Sequence, residues 1–275
     1  TQAAKKLGFY VTVIDPTPHS PAGQVADKQI VADFKDPKAI RELGKYSDFI
    51  TFEIELANDK ALYTLMKKGI IVNPAPSTLG IIRDKLKQKK FLKKHKIPTA
   101  RFLNVSFKKD ILIGGKSFGY PLMLKARHGA YDGRGNAIIK KETDIDRGLE
   151  KLKDRELYVE EFVVFSKELA VMVARSIKGE VISYPTVQTI HKDNICDTVI
   201  APAPIVTKQY VKAQKLARKV VENLEGSGVF GVEMFLDKKN NILVNEIAPR
   251  VHNSGHYTIE GSITSQFEQH IRTIT

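Results

Sequence analysis

Cysteine and tryptophan are nearly missing from this sequence. Its 275 residues contain one cysteine, Cys196, and no tryptophan. A single cysteine forms no disulfide within the chain and offers no pair of thiolates to a zinc ion. Disulfide-stapled secreted folds and zinc-finger folds are therefore excluded, and a reducing compartment, the cytoplasm, is expected.

Long apolar runs are missing as well. No run reaches the roughly 18 apolar residues that a membrane-spanning helix needs. Thr1–Lys6 also lacks the basic, apolar and small-residue regions that make up a signal peptide. We expect no membrane partner.

Positive charge is in excess. Lysine and arginine total 44 and aspartate and glutamate total 31, which gives a net charge of +13. Such an excess fits a polyanionic ligand, either a nucleic acid or a nucleotide phosphate. The lysines spread through helix-like segments, such as 84–96 and 208–219, without an RNA-recognition, zinc-finger or helix-turn-helix signature. We expect a solvated basic surface and no nucleic-acid partner.

The first part of the sequence alternates strand-like and helix-like segments. It predicts strands at 9–15, 48–54 and 69–73 and helices at 37–46 and 58–68. This alternation is typical of a parallel sheet flanked by helices, an α/β subdomain.

The rest of the sequence has an α+β pattern in which strands follow one another closely. The length of the whole chain, 275 residues, suggests two subdomains. The predicted elements are a lysine-rich helix at 84–96, strands at 120–127, 136–141, 157–163, 168–176 and 180–190, helices at 144–153 and 207–224, and strands at 229–237 and 242–247.

The segment Gly228–Arg250 predicts an acidic hairpin. If Lys239 and Asn240 form a two-residue loop, Glu233 faces Glu246 across the ladder and both carboxylates share one face. Opposed like charges repel, so a counter-charge is expected. Magnesium accepts carboxylate oxygens while keeping ligand positions for phosphates. Ion pairs with the abundant lysines are the equal alternative.

His128–Asn136, with the sequence HGAYDGRGN, is a glycine-rich loop between two predicted strands. Glycine permits close backbone approach, so successive N–H groups can point at phosphate oxygens. A β-turn with a solvated arginine explains the loop equally well, and the absence of GK[ST] excludes a P-loop. Lys125 is a stronger signal, because a lysine in an apolar strand needs a buried anion or an edge position.

Six strings together resemble one enzyme family. The sequence resembles, over nearly its whole length, the ATP-grasp synthetases that form 5-(carboxyamino)imidazole ribonucleotide, and the matching part of fungal aminoimidazole ribonucleotide carboxylases. YDGRGN and NEIAPRVHNSGHYTIE separate this family from other ATP-grasp ligases. The strings, in family order, are DKLKQKKFL, LKARHGAYDGRGN, YVEEFV, KELAVMVAR, GVFGVEMF and NEIAPRVHNSGHYTIE.

The resemblance implies an ATP-grasp fold with α/β and α+β parts. It places an N-terminal parallel-sheet domain at 1–76 and the ATP-grasp domain at 77–275, with a small lid at 100–163 and a mixed-sheet part behind it. Members of the family carry a further strand before the first segment and a small C-terminal module after the last, and we expect both to be missing from this sequence. A homodimer is expected on the same ground.

The resemblance also implies an ATP and Mg²⁺ site. It assigns the metal to Glu233 and Glu246, although Ala248 stands where many ATP-grasp enzymes have a third ligand, asparagine. From its neighbours alone, His191 would be a surface residue. The implied ATP-binding residues are Lys85, Lys125, Ala130, Tyr131, Asp132, Gly133, Arg134, Gly135, Asn136, Glu160, Glu161, Phe162, Val163, Glu168, His191, Asn245 and Glu246.

The activity that the resemblance implies is carboxylation of aminoimidazole ribonucleotide in purine biosynthesis, driven by ATP and bicarbonate. Bicarbonate would attack the γ-phosphate to give carboxyphosphate, which releases carbon dioxide beside the acceptor amine. The implied catalytic residues are Lys125, Arg250 and His252, the last two in a cluster that a hydrogen-bonded turn also explains. The implied substrate-binding residues are Glu53, Tyr131, Asp132, Arg134, Asn253 and Ser254.

Three other functions fit parts of the pattern. A sister ATP-grasp ligase with another amine acceptor would keep Lys125, Glu233 and Glu246 but need not keep YDGRGN or HNSGH. A basic nucleic-acid-binding module would bind with a steep salt dependence. A catalytically silent scaffold would be expected to lose a metal-binding carboxylate, but both Glu233 and Glu246 are present.

Overall fold

The computed structural model describes residues 1–129 and 135–275. Five predicted site residues lie outside them: Ala130, Tyr131, Asp132, Gly133 and Arg134. In the described ranges, no helix is both long and apolar enough to span a membrane.

Residues 1–82 form an α/β unit built on short parallel strands. Strand β1 pairs with β2 and β3 pairs with β4, both in parallel. The predicted strand at 48–54 is wrong beyond residue 50, where the chain leaves the sheet and carries two glutamates toward the cleft described below. The elements are α1 (Gln2–Lys6), β1 (Thr12–Asp15), β2 (Lys28–Val31), α2 (Pro37–Gly44), β3 (Phe49–Ile50), α3 (Asp59–Lys67), β4 (Ile71–Val72) and α4 (Pro76–Ile82).

A four-stranded antiparallel sheet, here called the lid sheet, follows the lysine-rich helix, in the order β5-β8-β6-β7. Two helices cover one of its faces and bury Leu122, Leu124 and Val159 there. Because side chains alternate along a strand, Lys125 and Glu160 project from the opposite face. The elements are α5 (Lys85–Lys94), β5 (Phe102–Val105), α6 (Lys108–Phe118), β6 (Leu122–Ala126), β7 (Asn136–Ile139), α7 (Ile145–Lys151) and β8 (Leu157–Glu161).

Helix α6 was not predicted, because two adjacent glycines lower its helix propensity. Both are buried. A Cβ on Gly114 would lie 3.1 Å from Val159, and one on Gly115 would lie 2.4 Å from Tyr120. The glycines therefore let the helix pack closely on the lid sheet, an advantage that local propensity does not register.

The last part is an α+β unit around a central sheet of order β12-β11-β9-β13-β14, with β10 paired to β9. These pairs are all antiparallel, so the sheet is not the mixed one that was expected. The predicted strand at 180–190 is wrong, because residues 184–186, which include Pro185, separate two strands. The elements are β9 (Phe165–Arg175), β10 (Val181–Ser183), β11 (Val187–Lys192), β12 (Ile195–Ile200), α8 (Thr207–Glu222), β13 (Gly228–Asp237), β14 (Ile242–Ala248), α9 (Thr258–Gly261) and α10 (Gln266–Ile274).

The two faces of the central sheet differ in character. Leu169, Val171 and Val232 bury one face against helices α5 and α8, together with Phe91 and Val220. Alternation sends Glu168 and Glu233 to the other face. The carboxylates of the central sheet and the basic residues of the lid sheet therefore line one cleft, which helix α5 borders.

Candidate active site

Glu233 and Glu246 are opposite each other in the antiparallel pair of β13 and β14. The pairing was predicted correctly, but the two-residue loop is wrong. Asp237 N–H donates to the Asn241 carbonyl at 2.9 Å, which leaves three residues in the loop. The register set by a three-residue loop would place Glu233 opposite Asn245. A bulge at Asn245 shifts the partner of Glu233 to Glu246.

The two carboxylates have different electrostatic environments. Burial and the neighbouring Glu246 raise the pKa of Glu233 to about 7. Burial also acts on Glu246, but Lys85 Nζ donates to its Oε2 at 2.7 Å and keeps its pKa below the usual range. Negative charge at Glu233 is therefore unfavourable until a cation comes close.

The carboxylate pair fits a hard divalent cation. In residues 1–129 and 135–275, no three His, Cys, Asp or Glu side chains are grouped to hold a metal ion. Magnesium does not need such a group, because it is commonly bound by one or two carboxylates together with water and substrate phosphates. Glu233 and Glu246 would hold it, in line with the alanine at position 248.

Lys125 is buried in the lid sheet and has a protein anion as its partner. Its Nζ donates to Glu160 Oε1 at 2.8 Å, while Lys89 Nζ lies 3.1 Å from Glu160 Oε2. Burial favours the neutral form of Glu160, but the two lysines outweigh it and lower its pKa to about 2. The sequence reasoning missed Lys89, although its position one helical turn after Lys85 places both on one side of α5.

Glu168 and His191 meet on adjacent strands of the central sheet. His191 Nδ1 is hydrogen-bonded to Glu168 Oε2, and this bond raises the pKa of the histidine. His191 is therefore not an isolated surface residue. The pair lies on the face of the sheet that carries Glu233, consistent with the effect of His191 on the pKa of Glu233.

The turn after β14 brings His252 against the carboxylate pair. Ser254 N–H donates to His252 Nδ1 at 3.3 Å, so the neutral ring carries its proton on Nε2, 3.3 Å from Glu233 Oε1. Burial and the Arg250 guanidinium lower the pKa of His252 to about 4. Gln266 holds the backbone of His252 with two hydrogen bonds of 2.9 Å.

Arg250 joins this turn to the N-terminal unit. Its Nε donates to Glu55 Oε1 at 2.8 Å, and one terminal nitrogen donates to the Val251 carbonyl at 2.9 Å. Glu53 lies near this pair: burial raises its pKa and Arg250 opposes the rise. The sequence reasoning named Arg250 and Glu53 but missed Glu55, the residue that fixes the guanidinium.

The structure does not bring every predicted side chain into the cleft. Glu161 turns to the outer side and forms a double hydrogen bond with Arg101, at 2.8 and 2.9 Å. Phe162 and Val163 form the link from the lid sheet to β9, so their backbone groups border the cleft.

The remaining predicted residues occupy defined positions near the cleft. Asn136 begins β7 opposite Lys125, and the Gly135 carbonyl accepts from Ala126 N–H at 2.8 Å. Asn245 is the bulged residue next to Glu246, and Asn253 lies in a short 3₁₀ turn beside the buried Ser254.

A carboxylate pair beneath a sheet that carries the buried Lys125 is the arrangement expected of a protein class that binds a polyanion together with a divalent cation. Residues 90–267 match the ATP-grasp domain, and residues 1–83 match the ribonucleotide synthetase preATP-grasp domain. The chain is 52% identical to N5-carboxyaminoimidazole ribonucleotide synthetase from Thermotoga maritima, with a TM-score of 0.88, and covers 71% of that structure with 100% of its own length. The chain therefore belongs to the N5-carboxyaminoimidazole ribonucleotide synthetase family of ATP-grasp ligases.

Two fungal proteins extend the comparison. The N5-carboxyaminoimidazole synthase of Aspergillus clavatus, solved in complex with ADP and 5-aminoimidazole ribonucleotide, is 42% identical with a TM-score of 0.93, over 99% of this chain and 72% of that one. The phosphoribosylaminoimidazole carboxylase of Ogataea methanolica is 48% identical over 100% of this chain and 51% of its own length. The chain thus spans about half the length of the fungal carboxylases it matches.

Proposed function

We propose that this chain carboxylates 5-aminoimidazole ribonucleotide to 5-(carboxyamino)imidazole ribonucleotide, using ATP and bicarbonate, as a step of purine biosynthesis. The observation that carries the proposal is the pairing of Glu233 with Glu246 beside Lys85 and opposite the buried Lys125. A relative with this fold binds ADP and the same ribonucleotide.

ATP would lie between the lid sheet and the central sheet. Lys85 and Lys125 would bind its phosphates, with Gly135 and Asn136 alongside. The end of β8 and the link that follows it, Glu160–Val163, would border the adenine, and Glu168 with His191 would hold the ribose. Asn245 would bind at the phosphate end, where a bound magnesium ion would offset charge on the phosphoryl oxygens.

Bicarbonate would bind beside the γ-phosphate, on the turn after β14. The Arg250 guanidinium, fixed by Glu55, supplies a planar cationic donor for an oxyanion. The neutral His252 offers an Nε2–H at the same place. Attack of a bicarbonate oxygen on the γ-phosphorus breaks the bond to ADP and forms carboxyphosphate, which these donors would shield from water.

The acceptor ribonucleotide would bind on the side of the N-terminal unit. Glu53 lies there beside Arg250, and Asn253 and Ser254 follow in the turn. Tyr131, Asp132 and Arg134 are proposed for the same substrate on the sequence alone. Carboxyphosphate would break into carbon dioxide and inorganic phosphate. The exocyclic amine would then attack the carbon dioxide and lose a proton to the phosphate, which leaves a carbamate.

Phosphate release from ATP tests the proposal. The full protein with magnesium and bicarbonate is given aminoimidazole ribonucleotide, glycinamide ribonucleotide or an amino acid, and labelled bicarbonate is followed into product. Stimulation by aminoimidazole ribonucleotide alone is expected. Stimulation by another amine would favour a sister ligase and overturn the acceptor assignment.

Assembly and location are part of the same proposal. We propose a homodimer, on the ground of the family resemblance, and a cytoplasmic location, on the ground of a sequence with one cysteine. Sedimentation equilibrium of the full protein tests the dimer, and a concentration-independent monomer mass would exclude it.

A further inference from the structure

Lys89 is the most deeply buried lysine at the cleft. Its side chain is 3% exposed, and lysine is rarely buried this far unless it is paired. Its Nζ lies 3.1 Å from Glu160 Oε2 and donates to Thr99 Oγ1 at 3.0 Å. The site described above assigns no role to this residue.

The buried charges around Lys89 do not cancel. Lys89 and Lys125 share one carboxylate, that of Glu160. Burial lowers the pKa of Lys89 and Glu160 opposes this, and with both lysines protonated the three side chains carry a net charge of +1. Glu246 does not make up the deficit, because Lys85 already pairs with it. A buried positive charge without a counter-ion is unfavourable, so the cluster favours the arrival of an anion.

A second observation points the same way. The Tyr158 hydroxyl is buried and has no hydrogen-bond partner in the part of the chain that the structure describes. Tyr158 is directly opposite Lys125 in the pair of β6 and β8, so both side chains leave the same face of the lid sheet. An unpaired donor beside an excess positive charge is suited to an oxyanion.

We propose that Lys89 is a positioning residue for the nucleotide phosphates, acting through Glu160 on Lys125. Lys89 neutralises Glu160 from the helix side, which leaves the charge of Lys125 available to a phosphate oxygen. Without Lys89, Glu160 and Lys125 would form a closed neutral pair. This inference rests on the proposed ATP site and adds a residue to it.

A purely structural role is the competing explanation. Thr99 Oγ1, which accepts from Lys89, donates in turn to the Val244 carbonyl at 2.8 Å. Lys89 thus connects the lid sheet to β14 through Thr99 and could serve only to hold the two together. Loss of a structural connection would weaken the binding of every ligand alike. Loss of the proposed charge effect would weaken only the binding of ligands that carry phosphate.

The test measures dissociation constants of magnesium-ATP and of adenosine by titration of the full protein. Lys89→Met and Lys89→Gln should weaken magnesium-ATP binding about tenfold or more, the scale of one charge-assisted contact. Adenosine affinity should be unchanged, because adenosine has no phosphate. Lys89→Arg should restore most of the ATP affinity. The matched control is Lys90→Met, which removes the same charge from an exposed position of the same helix.

The outcomes separate the two proposals. If the wild-type protein binds no magnesium-ATP, the proposed function fails and this inference fails with it. If wild type binds and both uncharged variants bind equally well, or lose adenosine and ATP affinity in parallel, only the role of Lys89 is overturned. Should Lys89→Met not fold, Lys89→Gln decides, and failure of both to fold would make the residue structural.

Discussion

Glu233 and Glu246 are cross-strand partners only because Asn245 bulges out of the ladder between β13 and β14. The three-residue loop would otherwise pair Glu233 with Asn245 and put Glu246 out of register. The bulge therefore decides whether two carboxylates or one carboxylate and one amide meet at this point.

Glu246→Gln should weaken binding of the magnesium nucleotide without unfolding the protein. The amide keeps the shape of the side chain but removes the charge that favours a divalent cation. We expect the apparent KM for magnesium-ATP to rise about tenfold at limiting magnesium, with a lower kcat. Glu222→Gln, at an exposed position of α8, is the control. Normal turnover at limiting magnesium would contradict the metal assignment.

Glu55→Gln should act on bicarbonate more than on ATP. The charge-assisted bond from Arg250 Nε to Glu55 fixes the guanidinium, and such bonds contribute roughly 1.5–3 kcal/mol. The KM for bicarbonate should therefore rise about tenfold while the KM for ATP changes little. Glu42→Gln, in an exposed ion pair with Lys45, should alter neither. Equal increases in both KM values would show that Glu55 supports the folded structure in general and has no particular role in bicarbonate binding.

His270 should make the protein less stable in mild acid. Val229 N–H donates to its Nδ1 at 3.1 Å, and Nε2 lies 2.7 Å from Thr51 Oγ1, so the ring is held neutral. Burial lowers its pKa from 6.5 to about 4. The unfolded state therefore binds a proton near pH 6.5 that the folded state refuses until about pH 4.

The stability that His270 contributes is present above pH 6.5 and is lost as the pH falls through 4. The shift corresponds to about 3 kcal/mol between these limits. Urea unfolding at several pH values checks this, and His270→Gln should show a smaller decrease than wild type. His252 adds a decrease of the same sign in both proteins. Identical pH profiles would show that His270 does not resist protonation.

Gly226→Ala should be strongly destabilising. Gly226 has φ +83°, and a Cβ there would lie 2.2 Å from the Ala75 backbone nitrogen, which cannot easily move. We expect a loss of about 2–5 kcal/mol from strain and overpacking together. Gly179→Ala is the matched control, since Gly179 has φ +87° and nothing within 4 Å of its Cβ position. Gly179→Ala should lower the free energy of unfolding only by the cost of placing an alanine at positive φ, about 1–2 kcal/mol. Equal losses of stability for the two variants in thermal unfolding would show that close packing against Ala75 does not contribute.

Much of the fold could be predicted from local pattern. The alternation before residue 77 and the two long strands that end in the acidic hairpin are visible in the sequence, because each reflects a periodicity of its own segment. Helix α6 escaped prediction, since Gly114 and Gly115 lower its propensity while allowing its close packing. Propensity is a local quantity, and the packing that overrides it depends on another element.

The candidate site divides in the same way. Lys125 was predicted to need a buried anion, but only the structure identifies Glu160 as the one it has. In a helix with many lysines, Lys89 differed from the others only in its spacing of one helical turn from Lys85. Its burial depends on Thr99 and Glu160, which come from other parts of the chain.

The sequence by itself determined the family and the residue types of a phosphate-binding cleft, because strings and periodicities are properties of single segments. Only the tertiary structure decided which charges neutralise one another. Lys85 pairs with Glu246, Lys89 with Glu160 and Arg250 with Glu55, and each pair joins segments far apart in the chain. Coulomb interactions and desolvation depend on distance and burial in space, so packing sets the electrostatics of the site.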